Sequence, residues 1–388
     1  MELIILRSNK SPHRDNVPVS TLSHEPGELS VSVEDVHRKD QLTLQRDPGV
    51  IGIAPPMPVQ LIHSLDASAT DIVPSVSWGV ETVGATRCVF TGAGVTVAVL
   101  DTGIDPAWKT LPAFAGIDIK MRNFTTGPDE DRDGHGTHCA ATVFGRPTAG
   151  CRIGVAPGVE RVLIGKVIGE REGSTDSIFK AILWAYETGA QVISMSLGMD
   201  FPGYQEKLSA TLPQRLATSM ALAGYRANVR LFDRLSQLTS ARDGFLQGAV
   251  VVAAAGNESQ REVDPTYRIT VAPPAAAELF MSVAALGQNV DTLPNRYIIA
   301  PFSNTGARVA APGVGILSAK LGGGLTCMSG TSMATPHVAG VAALWGEKLM
   351  KQGFPFRASR VIEVLERSTI DLPYLDRDDV GLGLVQAP

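Results

Sequence analysis

Five short apolar runs limit most tightly what this chain can fold into. Residues 95–100, 162–167, 191–197, 249–255 and 280–285 are nearly continuous hydrophobic stretches rather than alternating ones. A strand with one face in water alternates apolar and polar residues, so such runs belong to strands buried on both faces, as in a parallel sheet. Between them, residues 138–144, 175–188, 213–240 and 333–351 carry helical patterns. Alternating strand and helix over most of the chain predicts an α/β fold, a doubly wound and mostly parallel sheet with helices on both faces.

The beginning of the chain reads differently. Residues 1–6, 29–36 and 50–54 suit strands, residues 37–45 a short helix, and Pro55-Pro56 stops the third strand. This is a small α+β segment with too little core to be comfortable alone. Residues 64–77 read as a linker, so the expected division is 1–70 and 71–388, with a helical insertion at about 199–248. In that insertion Leu216, Met220, Ala223, Ala227, Leu231 and Leu238 recur at three-and-four spacing. They are expected to face the core; the other reading is a docking platform for a protein partner.

Lys and Arg number 34 against 39 Asp and Glu, a net charge of −5 with no basic block, which argues against nucleic-acid binding. No apolar run is long enough to span a bilayer, so no membrane role is expected. The first residues carry no secretory leader, from which a cytoplasmic location is expected. The four cysteines have neither a disulfide-framework pattern nor CxxC spacing, so they are read as free thiols.

Three strings carry candidate chemistry. Residues 97–105 form an apolar strand ending in Asp101 and a glycine turn, and open α/β sheets gather reactive groups beyond strand ends. Alone, such an Asp also fits nucleotide and metal sites. His135 lies between glycines at a helix start, with His138 three residues on, but no HExxH carboxylate accompanies them and His138 reads as structural. Ser332 sits among small residues at the first turn of an apolar helix, where a lone serine is usually a cap.

Together these strings resemble those of the subtilisin-like serine proteases, the subtilase family. The strings DTGID from Asp101, HGTHCAAT from His135 and GTSMATPHVAG from Gly330 are similar to the family's three signatures, in its order Asp, His, Ser. Residues 251–258 resemble the strand that presents the family's oxyanion asparagine, here Asn257. The resemblance runs from about Trp78 to Pro388. It implies a serine endopeptidase acting through an acyl-enzyme, with Ser332 as nucleophile, His135 as base and Asp101 orienting the histidine. No cofactor is required for that chemistry.

The resemblance also implies a groove between Ser196-Leu197-Gly198 and Glu172-Gly173-Ser174, in which a polypeptide substrate binds as an added strand. Asp133, Asp176 and Glu258 then fall near substrate side chains, giving the expectation of a preference for Lys or Arg. Residues 145–151 lack the ligands of a calcium loop found in many relatives. Asp129, Glu130, Asp131 and Asp133 leave a different structural calcium open, with a solvated acidic loop as the alternative. Cys139 resembles the thiol beneath the histidine in members with the HGTHCA string, which predicts sensitivity to mercurials. The N-terminal segment resembles a propeptide that inhibits its own enzyme and is cut within residues 64–73; a permanent accessory subdomain is the alternative. Two further readings of function stay open, a processing protease dedicated to one partner protein and a catalytically silent scaffold on the same fold.

Overall fold

The computed structural model describes residues 1–9, 28–62, 65–66, 73–169, 173–241, 248–289 and 296–388. The N-terminal unit contains β1 (Glu2–Asn9), β2 (Glu28–Asp35), α1 (Gln41–Arg46) and β3 (Val50–Ala54), its antiparallel sheet ordered β2-β1-β3. Two short strands follow, β4 (Pro58–Leu61) and β5 (Leu65–Asp66).

After α2 (Trp78–Thr82) the alternating pattern begins with β6 (Thr96–Asp101), β7 (Asp118–Asn123), α3 (His135–Phe144), β8 (Arg161–Lys166), β9 (Gly173–Ser174) and α4 (Thr175–Glu187). It continues through β10 (Val192–Met195), β11 (Leu197–Met199), α5 (Phe201–Ser209), α6 (Gln214–Ala241), β12 (Val250–Ala254), β13 (Met281–Gln288) and β14 (Tyr297–Ile299). The remainder is β15 (Val309–Pro312), β16 (Ile316–Ala319), β17 (Leu325–Ser329), α7 (Thr331–Lys351), α8 (Ala358–Arg367) and α9 (Arg377–Val380).

The central sheet runs β14-β13-β12-β10-β6-β8-β7, with β15 also paired to β13. Its pairings are parallel except β13 with β14. Every residue of β6, β10 and β12 is buried, as their continuous apolar runs require. The α/β expectation therefore holds. Three strands of this sheet lie outside the five runs, β7, β14 and β15. Of these, β7 is a sheet edge with four of its six residues exposed, so its sequence is polar and carries no hydrophobic signal. Among the described residues no helix is long and apolar enough to cross a membrane.

The N-terminal unit shares its core with the rest. Ile4, Leu6, Ala54, Met57 and Val59 pack in one buried cluster with Ile178, Phe179, Leu231, Phe232 and Leu235. Strand β2 lies against α4, and β3 against α6. Phe179 of α4 and Phe232 of α6 stack with centroids 4.2 Å apart beneath this sheet.

Helix α6 keeps the expected face inward over its second half, where Leu231 is buried and Ala227 and Leu238 pack against the core. Earlier in the helix the face shifts: Leu216 and Met220 are 47% and 41% exposed and Ala223 is exposed, while Ala217, Ala221, Gly224 and Asn228 are buried. Close approach explains the shift. A Cβ on Gly224 would stand 3.2 Å from Pro55 Cγ, and Asn228 Nδ2 donates to Pro55 O at 2.9 Å. Small residues win this interface because the Pro55 ring, with Tyr204 and Met57 beside it, leaves little room for larger ones. This inward face of the insertion packs on the chain's own N-terminal unit.

Candidate active site

Strand β6 carries Asp101 to its carboxyl end, where the carboxylate is fully buried. Its Oδ1 accepts from Thr102 N at 2.7 Å and lies 2.7 Å from His135 Nδ1. His135 opens α3, and Gly134 before it takes φ 95°, a left-handed conformation that glycine adopts without cost. Gly136 must also be glycine, because a Cβ there would collide with the Gly103 carbonyl. The two motif strings are thus folded into direct backbone contact.

Ser332 is the second residue of α7, buried at the helix N-terminus. Its Oγ donates to the Ile62 carbonyl at 3.1 Å, with Ser196 O at 3.5 Å. Among the described residues, His135 Nε2 and Asp101 Oδ2 are buried without a hydrogen-bond partner, so the histidine–serine hydrogen bond is not made in this conformation. Asn257 follows β12 and the left-handed Gly256. Its Oδ1 accepts from Thr331 N and Thr331 Oγ1, both at 2.9 Å, which turns Nδ2 toward Gly330 beside the serine.

Burial opposes a charge on His135, but the Asp101 carboxylate outweighs it and holds the imidazole pKa well above the ordinary 6.5. His138 behaves oppositely: burial pushes it down to about 3 while Nε2 bonds Ile316 O at 2.9 Å. It is a neutral structural group. Cys139 Sγ lies 3.4 Å from Ser332 O and 3.8 Å from His135 Nδ1, and burial pushes its thiol pKa up. Asp101, His135 and Cys139 offer ligand atoms within 4.8 Å of one another, a set suited to a soft thiophilic ion. All four cysteines are free.

The groove is filled by the chain itself. Strand β4 lies antiparallel between β11 and β9, pairing Leu61 with Leu197, Gln60 with Gly198, Val59 with Met199 and Gly173, and Pro58 with Ser174. Beyond Ser332, β5 pairs with β17, Leu65 opposite Ser329 and Asp66 opposite Met328. Leu197, Gly198, Gly173 and Ser174 thus flank β4, while Ser196 Oγ donates to Ser332 O at 3.1 Å. Glu172 lies outside the described residues.

The three other acidic residues have uses of their own. Asp133 is exposed and caps His135 N at 3.2 Å; Asp176 pairs with Lys180 at 2.9 Å; Glu258 accepts from Asn304 Nδ2 at 2.6 Å. The segment in the groove, Val59-Gln60-Leu61-Ile62, contains no basic residue. Asp176 and Glu258 thus each hold a partner within the protein, while Asp133 is exposed.

Protein donors already meet much of the acidic run before His135. Asp129 Oδ1 accepts from the Asn123 amide, Glu130 pairs with Arg132, and Asp131 is buried with both oxygens filled by protein donors. The solvated-loop alternative fails for Asp131. Its part in the site was missed in the sequence, where it read as one more charge in a run. A usable signal lay nearby, in the threonines that follow Asp101 and Gly136 in otherwise apolar and glycine-rich strings.

Residues 92–376 match a family model described as the subtilase family. The chain belongs to the subtilase family. M-protease of Shouchella clausii (strain KSM-K16) is 35% identical over 294 residues, covering 73% of this chain and 63% of that protein. Subtilisin Savinase of Lederbergia lenta is 35% identical over 285 residues, 71% of this chain and 85% of that protein. The match to the thermostable alkaline protease of Halalkalibacterium halodurans is 30% identical over 372 residues, 94% of this chain and 84% of that protein. Subtilases are serine endopeptidases.

Proposed function

We propose that this subtilase is a serine endopeptidase made with its groove occupied by its own N-terminal segment, and that it first cuts the Ile62–His63 bond. The single observation that carries the reading is Ser332 Oγ at 3.1 Å from the Ile62 carbonyl oxygen, with the chain strand-paired on both sides of that point. Main-chain pairing aligns an extended peptide across the serine. This position lies just upstream of the 64–73 window expected from sequence.

The chemistry follows from the groups present. After Ser332 Oγ rotates off the carbonyl oxygen it attacks the Ile62 carbonyl carbon, and its proton passes to His135 Nε2, the nitrogen without a partner. Asp101 holds the opposite ring nitrogen and stabilises the imidazolium. Asn257 Nδ2 and the Ser332 backbone amide stabilise the oxyanion. His135 then protonates the departing His63 nitrogen, the C–N bond breaks, and water hydrolyses the Ile62 acyl-enzyme by the same base. Released from the cut end, the groove accepts other extended polypeptides, with apolar residues favoured where Val59, Leu61 and Ile62 now lie.

Mass spectrometry of the wild type and of Ser332→Ala tests this. The expected result is a 1–62 fragment and a chain beginning at His63 from the wild type alone. Intact wild-type chain, or the same fragments from both proteins, would overturn it.

A further inference from the structure

Asp131 is only 2% exposed, and every acceptor position it offers is taken up by the two segments that carry Asp101 and His135. Its Oδ1 accepts from Thr102 Oγ1 at 3.0 Å, Asp133 N at 3.1 Å and Gly134 N at 2.9 Å. Its Oδ2 accepts from Thr137 N at 3.0 Å and Thr137 Oγ1 at 2.6 Å. Each threonine also reaches across to the other segment. Thr102, next to Asp101, accepts from Gly136 N at 2.9 Å; Thr137, on the histidine helix, accepts from Asp105 N at 2.9 Å. The two hydroxyls are therefore crossed braces, and one carboxylate is the nearest acceptor for both of their protons, Thr102 Oγ1 lying 3.0 Å from Asp131 Oδ1 and 3.3 Å from Asp101 Oδ1.

We infer that Asp131 is a positioning residue that sets the Asp101–His135 geometry through Thr102 and Thr137. Each hydroxyl has one hydrogen to give and must receive the facing backbone N–H on its oxygen. Asp131 decides that direction for both. With the Thr102 hydrogen drawn to Asp131, Asp101 Oδ1 keeps its short contacts to Thr102 N and His135 Nδ1, both at 2.7 Å. A neutral amide of equal size cannot replace the carboxylate. It has one acceptor oxygen, and its NH₂ would face either the Thr102 side or the Thr137 side, where only donors wait. The misfit would be relieved by sliding the strand end against the helix start, and displacement of about 1 Å at such a pair costs on the order of 100-fold in rate.

The inference rests on the triad reading, and its test separates the two. Asp131→Asn, Thr102→Val, Thr137→Val, Thr102→Ser and Thr137→Ser are compared in the full chain after processing. Turnover of a fluorogenic peptide is measured per site titrated to completion with a fluorophosphonate. Asp131→Asn is expected to lower kcat per titrated site by about 10- to 100-fold, with KM changed by less than about twofold. The two valine variants are expected to fall in the same direction and the two serine variants to stay near wild type. If Asp131 supports folding alone, the titratable fraction or the Tm drops while kcat per site stays constant, which overturns the inference. A second readout needs no turnover. In Ser332→Ala, the low-field proton of the His135 Nδ1–Asp101 hydrogen bond is followed by NMR; it is expected to shift upfield or exchange faster on adding Asp131→Asn or Thr137→Val. An unchanged resonance contradicts the inference. Failure of wild-type protein to react with the fluorophosphonate would count against the triad reading and leave the NMR arm to judge Asp131.

Discussion

Asn228 of α6 donates its side-chain amide to the carbonyl of Pro55, 2.9 Å away, at the point where the N-terminal unit turns toward the groove. The same amide also donates to Gly224 O within the helix, at 3.0 Å. One buried residue thus ties the insertion to the segment that carries β4 into the site. Asn228→Ala leaves the partly buried Pro55 carbonyl without this donor, at a cost of about 1 kcal/mol or more. The expected outcome is a 1–62 peptide that inhibits the processed variant about 10-fold or more weakly than wild type. Equal inhibition constants for the two enzymes would argue against α6 as the dock.

The raised pKa of His135 predicts opposite pH trends for cleavage and for stability. Self-cleavage needs a neutral imidazole, so its rate should climb about tenfold per pH unit below the folded-state pKa and level off above it. The stabilisation from the charged pair runs the other way. It is complete below the unfolded value of 6.5 and is lost as pH rises through the higher folded-state value. Single-turnover processing of the wild type and melting of Ser332→Ala, each over pH 6–10, check both trends. Asp101→Asn should move the processing midpoint down, and a midpoint that stays in place would sink the assignment.

His138 has the contrary sign. Burial lowers it to about 3, so between that value and 6.5 the unfolded chain binds a proton that the folded chain does not. Its contribution to stability is therefore present above 6.5 and declines as pH falls, by up to about 1.4 kcal/mol per unit, until both states are protonated. His337, lowered to about 4 by burial, adds to this acid sensitivity. Denaturant titrations of Ser332→Ala at pH 4–7 should show the slope, and His138→Gln should flatten it.

Cys139 should distinguish small metal ions from alkylating reagents. The thiol is fully buried with a raised pKa, so it is a poor nucleophile and iodoacetamide should leave activity intact. Mercuric ion is compact and thiophilic, and its insertion at Cys139 Sγ would disturb both His135 Nδ1 and the Ser332 carbonyl. Activity is expected to fall in proportion to bound mercury, and Cys139→Ala should be resistant. Full activity in the stoichiometrically labelled enzyme is the result that contradicts this.

Much of this protein was legible before any coordinates. Strands β6, β8, β10, β12 and β13 coincide closely with the five apolar runs, because burial on both faces leaves a strand no other composition. The strings around Asp101, His135, Asn257 and Ser332 were readable because close backbone approach forces glycine and small residues at fixed places, as at Gly136 and Gly330. The edge strand β7 was not legible, since half its hydrogen-bonding needs and most of its side chains face water. The inward face of α6 was legible at Ala227, Leu231 and Leu238 and hidden earlier in the helix. There Ala217, Ala221 and Gly224 are buried because they are small, and small residues give little hydrophobic signal.

The sequence alone determined the sheet, its connections and the residue types available to the site. Only the tertiary structure decided how those residues are used. It brought the Ile62 carbonyl to Ser332, because strand pairing of β4 fixes the register across the groove. It turned the insertion toward the chain's own first strands. It also separated Asp131 from the acidic run around it, since a carboxylate becomes a structural hub only when folding removes water and supplies donors from two distant segments.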